Sequence, residues 1–313
     1  MINQTAATEF FLLGFSNLRE LQILHFVIFL SIYLATMTGN FLLILTVAQN
    51  PHLHKPMYFF LVNLSIVDAC FISTTIPNSL VNSFRNKKWI SFSGCVTQVF
   101  LVVTFLFAEL TFLTIMAYDR YVAICHPLQY QMIMSWNTCL QLASTSWMSS
   151  IIYAIIQTAS TFRLSFCRSS IKQFFCDIPP LLLISCTDTR VNEWLLIGTV
   201  FTVGLFCFMC IFVYYKCIFS AVLKIQSAQG RKKALSTCTP HLIVFTLFFF
   251  TCTFSYLKPK ALSSPPVDLL AAFLYTELPP LMNPIIYSLR NKEIQMAMQK
   301  VAKKLFGFQW VMN

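Results

Sequence analysis

Charge is scarce in this chain. Only 11 of its 313 residues are acidic, and Asp, Glu, Lys and Arg together make up 11%, against roughly 25% in a soluble domain. With 57% hydrophobic residues and a mean hydropathy of +0.68, that shortage excludes a water-soluble globular protein. Glycine is rarer still, at 7 residues against 32 phenylalanines. A Gly-rich flexible architecture is excluded, and there are no paired repeats with Gly-interrupted helices of the kind that build transporter sites. The apolar stretches run well past the roughly 10 residues of a membrane barrel strand, so the spans are helices.

Seven stretches are long enough to cross a bilayer as helices: Leu24 to Ala48, Met57 to Ser83, Gln98 to Ala123, Cys139 to Thr161, Trp194 to Ile218, His241 to Leu257 and Leu269 to Ser288. The expected fold is an all-α seven-transmembrane bundle in one domain, with segment 1–23 outside, the bundle over 24–288 and an inner tail over 289–313. An odd count puts the termini on opposite sides. The first run starts late, is long and lacks a basic n-region, so it is expected to act as its own insertion signal rather than as a cleaved peptide. Lys and Arg divide almost evenly between the two sides. Local features therefore set the orientation: Asn3-Gln4-Thr5 is a glycosylation sequon, whereas Arg231-Lys232-Lys233 and Lys300, Lys303 and Lys304 suit an anionic cytoplasmic leaflet. The N-terminus is taken as outside, with Asn3 as the glycosylation site. A second sequon match, Asn63-Leu64-Ser65, falls inside a span and is expected to be inert. The net charge of +11 reads as membrane-flanking charge in short loops, not as a nucleic-acid surface.

Four of the 12 cysteines, Cys95, Cys167, Cys176 and Cys186, fall on the outer side, where three disulfide connectivities are open. The rest lie mostly in spans, as small apolar residues. After Ser288, Ile294, Met298, Val301 and Leu305 share one face of a short helix, expected to lie on the inner membrane surface.

Against this apolar background a few polar groups stand out. Asp119-Arg120-Tyr121 ends the third span; intramembrane ionisable groups tend to mark pathways, relays or switches. Asp68 and Glu109 each lie 11 residues from the inner end of their spans, roughly 16 Å deep at about 1.5 Å per residue. If spans two and three are neighbours, these acids meet. Two such carboxylates cannot both ionise freely, so they share a proton or bind a cation such as sodium; hydrogen-bonded structural acids are the plainer alternative. In span seven, Asn283-Pro284-Ile285-Ile286-Tyr287 sets a proline where it frees carbonyls, with Asn283 able to reach either those carbonyls or the acid pair.

Together these residues resemble the rhodopsin-like G-protein-coupled receptors. The text between them resembles the olfactory receptors of the tetrapod-type class: Pro56-Met57-Tyr58-Phe59-Phe60-Leu61, Met116 to Pro127, Lys233-Ala234-Leu235-Ser236-Thr237-Cys238 and Pro284 to Asn291, with Phe175-Cys176-Asp177 in a loop. The likeness covers essentially the whole chain. It implies disulfides Cys95–Cys176 and Cys167–Cys186. It implies that Asp119 holds Arg120 at rest and releases it to a G protein when the inner ends of spans three and six part, while Tyr215 and Tyr287 swing inward. The implied partners are a small odorant, the bilayer and a stimulatory, olfactory-type G protein that raises cyclic AMP. The chain departs from the family's usual pattern at Phe249 (commonly tyrosine), Phe250 (commonly small), Tyr214 (commonly serine) and Pro240, which follows Thr239 where many members have paired serines.

A ligand of such a bundle sits between helices in a mostly apolar cavity. Val103, Leu106, Phe107 and Leu110 share one face of span three. Phe249, Cys252, Thr253 and Tyr256 do so on span six. Thr199 and Val203 on span five and Phe273 and Thr276 on span seven complete the expected lining, although plain helix packing produces the same stripes. The outer part of span three reads Leu101-Val102-Val103 with no carboxylate, which disfavours amine ligands. Lys258 and Lys260 suit an acid, or are snorkelling flank residues. A small neutral apolar volatile ranks first. The alternative is a same-fold receptor for an endogenous metabolite or small acid in non-olfactory tissue; a membrane transporter is the remote one. Span seven has no lysine for a retinal, which sets aside a light-driven pump; neither Asp68 nor Glu109 lies in a protease-like motif, so no enzyme is expected. No cofactor is expected beyond sodium at Asp68 and Glu109.

Overall fold

The computed structural model describes residues 9–12, 19–85, 89–257 and 264–306. Seven helical spans are long and apolar enough to cross a membrane. They are α1 (Arg19–Gln49), α2 (Pro56–Arg85), α3 (Phe92–Cys125), α5 (Trp136–Phe162), the bent fifth span, α9 (Ala228–Leu257) and the broken seventh. The short helix α4 (Tyr130–Ile133) precedes the fourth span, and α6 (Ile178–Leu183) sits in the connection to the fifth. The fifth span is α7 (Arg190–Thr199) and α8 (Leu205–Leu223), joined by a π-helical stretch Val200–Gly204. The seventh is α10 (Pro265–Thr276) and α11 (Leu278–Arg290).

Local chemistry sets these boundaries. Ser91 caps α3 by accepting from the Gly94 amide, and Ser135 caps α5 by accepting from that of Thr138. His126 closes α3 just before Pro127, where the residue ahead of a proline leaves the helical region. The seventh span breaks at Glu277 because Pro279 and Pro280 follow, and neither can donate a helical hydrogen bond. Helix α9 begins 13 residues before the apolar stretch that marks span six in the sequence. Hydropathy registers the thickness of hydrocarbon, whereas the helix continues through the polar Arg231 to Thr239 segment.

Helix α3 is the hub, packing against α2, α5, α8 and α9. Spans two and three are thus neighbours, as the acid-pair expectation requires. Apolar side chains such as Phe41, Met148, Ile152, Phe206, Phe212 and Phe250 stay exposed on the outside of the bundle, the face a bilayer covers.

One end of the bundle is closed by disulfides Cys95–Cys176 and Cys167–Cys186 and by a small sheet. Its centre strand is β1 (Glu9–Leu12), antiparallel to β2 (Trp89–Ser91) and parallel to β3 (Ser170–Ile171). The period of two turns Phe10 and Leu12 inward, where they are buried with Ile90, Cys95, Ile171 and Ile178. At the other end α12 (Lys292–Phe306) follows α11. Ile294, Ala297 and Val301 are buried on a face packed against α1, while Leu305 stays exposed. The tail helix is therefore docked on protein along part of the stripe expected to rest on a membrane surface.

Candidate ligand cavity and the polar network beneath it

Near the disulfide end lies a cavity of about 280 Å³, at the small end of ligand pockets. Span three contributes Val103, Leu106, Phe107 and Leu110, and span six contributes Phe249, Cys252, Thr253 and Tyr256. Thr199 and Val203 come from span five. The expected stripes on these three spans thus converge on one space, because α3, the fifth span and α9 present them at the same level.

Two expected residues do not join them. Phe273 packs edge-on against Phe29 of span one, with ring centroids 5.8 Å apart. Thr276 donates to the Ala272 carbonyl at 2.8 Å and to Glu277 Oε1 at 3.1 Å. The break at Glu277 belongs to a different polar cluster, and no described residue of span seven lines the cavity. Residues that the sequence reading passed over take its place: Tyr153 of span four, Ile178 of the long connection, and Phe248.

Most polar lining groups are already engaged. Thr199 donates to the Leu195 carbonyl at 2.8 Å, Tyr153 accepts from Gln157 Nε2 at 2.7 Å, and Tyr256 donates to Asp177 Oδ1 at 3.0 Å. Thr253 alone among the lining hydroxyls makes no hydrogen bond among the described residues. Asp177 is 1% exposed and also accepts from Tyr275 and from the Ile178 amide, which ties the connection to spans six and seven. Gln98 adds a second tie: its Oε1 accepts from the Cys176 amide at 2.8 Å, next to the disulfide. Asp177 was legible only as part of a motif, since nothing in a loop's pattern says where its side chain is buried.

Beneath the cavity, Asp68 accepts twice from Asn283 Nδ2, at 2.9 and 3.1 Å. Asn283 thus takes the acid and leaves the proline-freed carbonyls to another residue. Glu109 is fully buried, lies within electrostatic reach of Asp68, and neither of its oxygens has a hydrogen-bond partner among the described residues. Asn283 Oδ1 is likewise unsatisfied. Glu277, which the sequence reading did not single out, is a further buried acid that accepts from Thr75 at 3.1 Å. Asn63, the sequon asparagine inside span two, accepts from Trp147 Nε1 at 3.2 Å, so it has a structural bond to make.

At the far end, Arg120 pairs with its neighbour Asp119 through Nε at 3.0 Å and also through Nη2. Tyr130 of α4 donates to the other Asp119 oxygen at 2.7 Å; burial and the carboxylate beside it push the Tyr130 phenol up. Tyr121 bonds the His126 ring at 3.0 Å and stacks on Tyr214. His241, whose role the sequence reading did not anticipate, bridges three spans: Nε2 reaches the Leu113 carbonyl at 2.7 Å and Nδ1 the Tyr215 hydroxyl at 2.9 Å. A carbonyl only accepts, so Nε2 carries the proton and Tyr215 donates to Nδ1. The Tyr287 hydroxyl is buried without a partner among the described residues. Asn3, Lys258 and Lys260 lie outside the described residues.

Known proteins match this chain in sequence and in fold. The family model described as olfactory receptor matches residues 29–304. Olfactory receptor 14C36 of Homo sapiens is 49% identical over 307 residues, covering 98% of each chain. The chain belongs to the olfactory receptor family. Olfactory receptor 14I1 of Homo sapiens is also 49% identical, over 99% of this chain and 100% of its own length. Squid rhodopsin, at 17% identity and a TM-score of 0.73, covers 94% of this chain and 83% of its own, which shows the shared seven-helix fold. The chain is a multi-pass membrane receptor of this family, of the G-protein-coupled kind, and not an enzyme.

The departures from the olfactory receptor pattern sit in different places. Phe249 lines the cavity and packs on Phe208, with centroids 4.9 Å apart. Phe250 is 63% exposed on the outside of the bundle, where bulk is harmless. Tyr214 lies against the rings of Tyr118 and Tyr121. Pro240 is inside α9, one residue before the bridging His241.

Proposed function

We propose that this receptor takes a small, neutral, apolar volatile in the cavity between spans three, five and six, and activates a stimulatory, olfactory-type G protein that raises cyclic AMP. The observation that carries the reading is the lining itself: among the described residues it is Leu, Val and Phe side chains with no charged group and one hydroxyl without a partner. A charged amine or carboxylate buried there would lack an ion partner, at a cost of several kcal/mol. For a molecule of ten heavy atoms, micromolar affinity requires about 0.8 kcal/mol per atom, inside the range of about 0.3 to 1.5 that small ligands achieve.

In this reading the N-terminus and the disulfide end face outward, as disulfides require an oxidising side, and Asn3 is glycosylated there. The paired Asp119 and Arg120, with the His241 bridge, form the resting arrangement. Ligand binding favours a state in which the inner ends of spans three and six part, Arg120 leaves Asp119 for the G protein, and Tyr215 and Tyr287 turn inward. Asp68, Glu109 and the free Asn283 Oδ1 form an all-oxygen cluster that suits a sodium ion or a shared proton.

The test is a cyclic AMP assay in cells expressing the chain, challenged with neutral, acidic and amine odorants. Neutral compounds are expected to act first and amines not at all. Arg120→Ala, at matched surface expression, is expected to abolish the response; a full response from that variant would overturn the switch.

A further inference from the structure

Of the nineteen described residues that line the cavity, only two are exposed: Phe201 at 55% and Leu205 at 52%. Both belong to span five, four residues apart, one inside and one just after the π-helical stretch Val200–Gly204. Five consecutive residues bar one, Val200, Phe201, Val203 and Gly204, face the cavity there, more of the helix surface than a buried wall presents. Gly204 adds to the gap, for a Cβ built on it meets nothing within 4 Å. Further along the seam with span six, Phe208 packs on Phe245 and Phe249, which closes the bundle below the opening.

On the other spans no described lining residue is exposed. Val103, Ile178, Leu196 and Phe248 are buried lining residues. Towards the disulfide end the described residues stack Ile178 beneath Cys176 and the β1 strand, with Phe10, Ile171 and Cys176 all fully buried. Asp177 ties that layer to Tyr256 and Tyr275.

We propose that the cavity opens sideways into the bilayer beside span five, at Phe201 and Leu205, and receives an apolar ligand already dissolved in the outer leaflet. This rests on the reading of the cavity as the ligand site. Lipid tails are about as apolar as the lining, so moving a ligand from leaflet to cavity gains little hydrophobic free energy. Selection then comes from packing against the Phe side chains and from a hydrogen bond, while the bilayer raises the local ligand concentration. The π stretch is what makes the opening, because a wider turn shifts the side chains of one helical face relative to the next.

The experiment uses the full chain in lipid nanodiscs that contain a phosphatidylcholine with a photoactivatable diazirine on one acyl chain. Such a reagent stays in the bilayer, so it reaches buried cavity residues only through a lateral opening. On irradiation the carbene left by loss of nitrogen inserts into nearby C–H bonds, and peptide mass spectrometry locates the adducts. Adducts are expected on Val103 and Phe248 as well as on lipid-facing Phe212. Leu205→Trp or Phe201→Trp is expected to lower the cavity adducts several-fold and leave those on Phe212 unchanged. Labelling of Phe212 without Val103 or Phe248, or cavity labelling that both tryptophan variants leave intact, would overturn the proposal. No odorant response enters this measurement: a silent receptor that labels in the cavity loses the ligand reading and keeps the opening, and a responsive receptor without cavity adducts does the reverse.

Discussion

Asn40 of span one donates through Nδ2 to the Pro280 carbonyl of span seven at 3.1 Å. That carbonyl is the one a helix would pair with the amide of residue 284, and Pro284 has none. The same amide group also donates to the Thr36 carbonyl at 3.1 Å. Next to it, a Cβ on Gly39 would lie 3.0 Å from Pro284 Cγ, so glycine lets the two backbones approach closely enough for the bond to form. Asn40→Ala is expected to leave a buried acceptor unpaired and cost about 1–3 kcal/mol, read as a lowered melting temperature of purified receptor. Gly39→Val is expected to cost as much by pushing span seven away; a variant as stable as the parent would show that Pro284 can yield.

His241 ties spans three, five and six through two hydrogen bonds, and in the proposed switch spans three and six part as Arg120 is freed. His241→Phe keeps the ring and removes both bonds. Each is worth about 0.5–1.5 kcal/mol, so the balance should shift about 5- to 150-fold toward the signalling state. Ligand-independent cyclic AMP at matched surface expression is expected to rise. Unchanged basal output would mean that the bridge survives the transition.

The seven spans were legible because membrane burial writes itself as uninterrupted apolar runs, and Asp68, Glu109 and Arg120 because charge is rare against that background. The converging stripes on spans three, five and six followed from helical period. What could not be read was pairing across the bundle. Asn283 had two chemically sensible partners, the freed carbonyl and the acid, and only the position of Asn40 on a span 240 residues away decides between them. Phe273 and Thr276 failed for a related reason. The sequence shows the prolines after Glu277, but not how far the break turns α10 away from the cavity and toward Phe29 and Thr75. The roof built on Asp177 was out of reach because loop residues carry no period.

Thr253 offers the cavity a hydroxyl that has no partner among the described residues. Thr253→Val preserves shape and removes the hydrogen bond, worth about 0.5–1.5 kcal/mol. For an active alcohol, potency is expected to fall roughly 2- to 13-fold, each 1.4 kcal/mol being about tenfold. The hydrocarbon of the same skeleton should be unaffected. Dose–response curves for the two compounds give the comparison, and an equal loss for both would assign Thr253 to packing alone.

Asp68 and Glu109 sit in one buried cluster, and of the two only Asp68 has a hydrogen-bond partner among the described residues. If they hold a sodium ion or share a proton, occupancy of the cluster must feed into basal signalling. Asp68→Asn and Glu109→Gln, at matched surface expression, are each expected to flatten the dependence of basal activity on sodium or on pH. Dependence identical to the parent in both variants would leave the acids as structural groups.

The tail helix carries a pH-dependent contact of its own. Glu293 Oε2 accepts from Tyr58 at 2.8 Å and from Lys55 at 3.3 Å, and Asn291 donates to the Tyr58 hydroxyl at 3.1 Å. The Tyr58 hydrogen bond, aided by Lys55, holds the Glu293 carboxyl below its usual range. A carboxyl depressed in the docked state favours docking above its free value and loses that contribution as pH falls through the depressed one, so the window lies below about pH 4.3. Both partners of the Lys55 pair are half exposed, so the ionic part is small and salt-sensitive, and the Tyr58 bond should dominate. Acidification into that window is expected to loosen α12 from α2, read as faster amide exchange over Lys292–Phe306. Glu293→Gln still accepts from Tyr58 but cannot titrate, so it should abolish the pH dependence while keeping much of the protection; a variant that retains the acid-induced loosening would place the responsible group elsewhere.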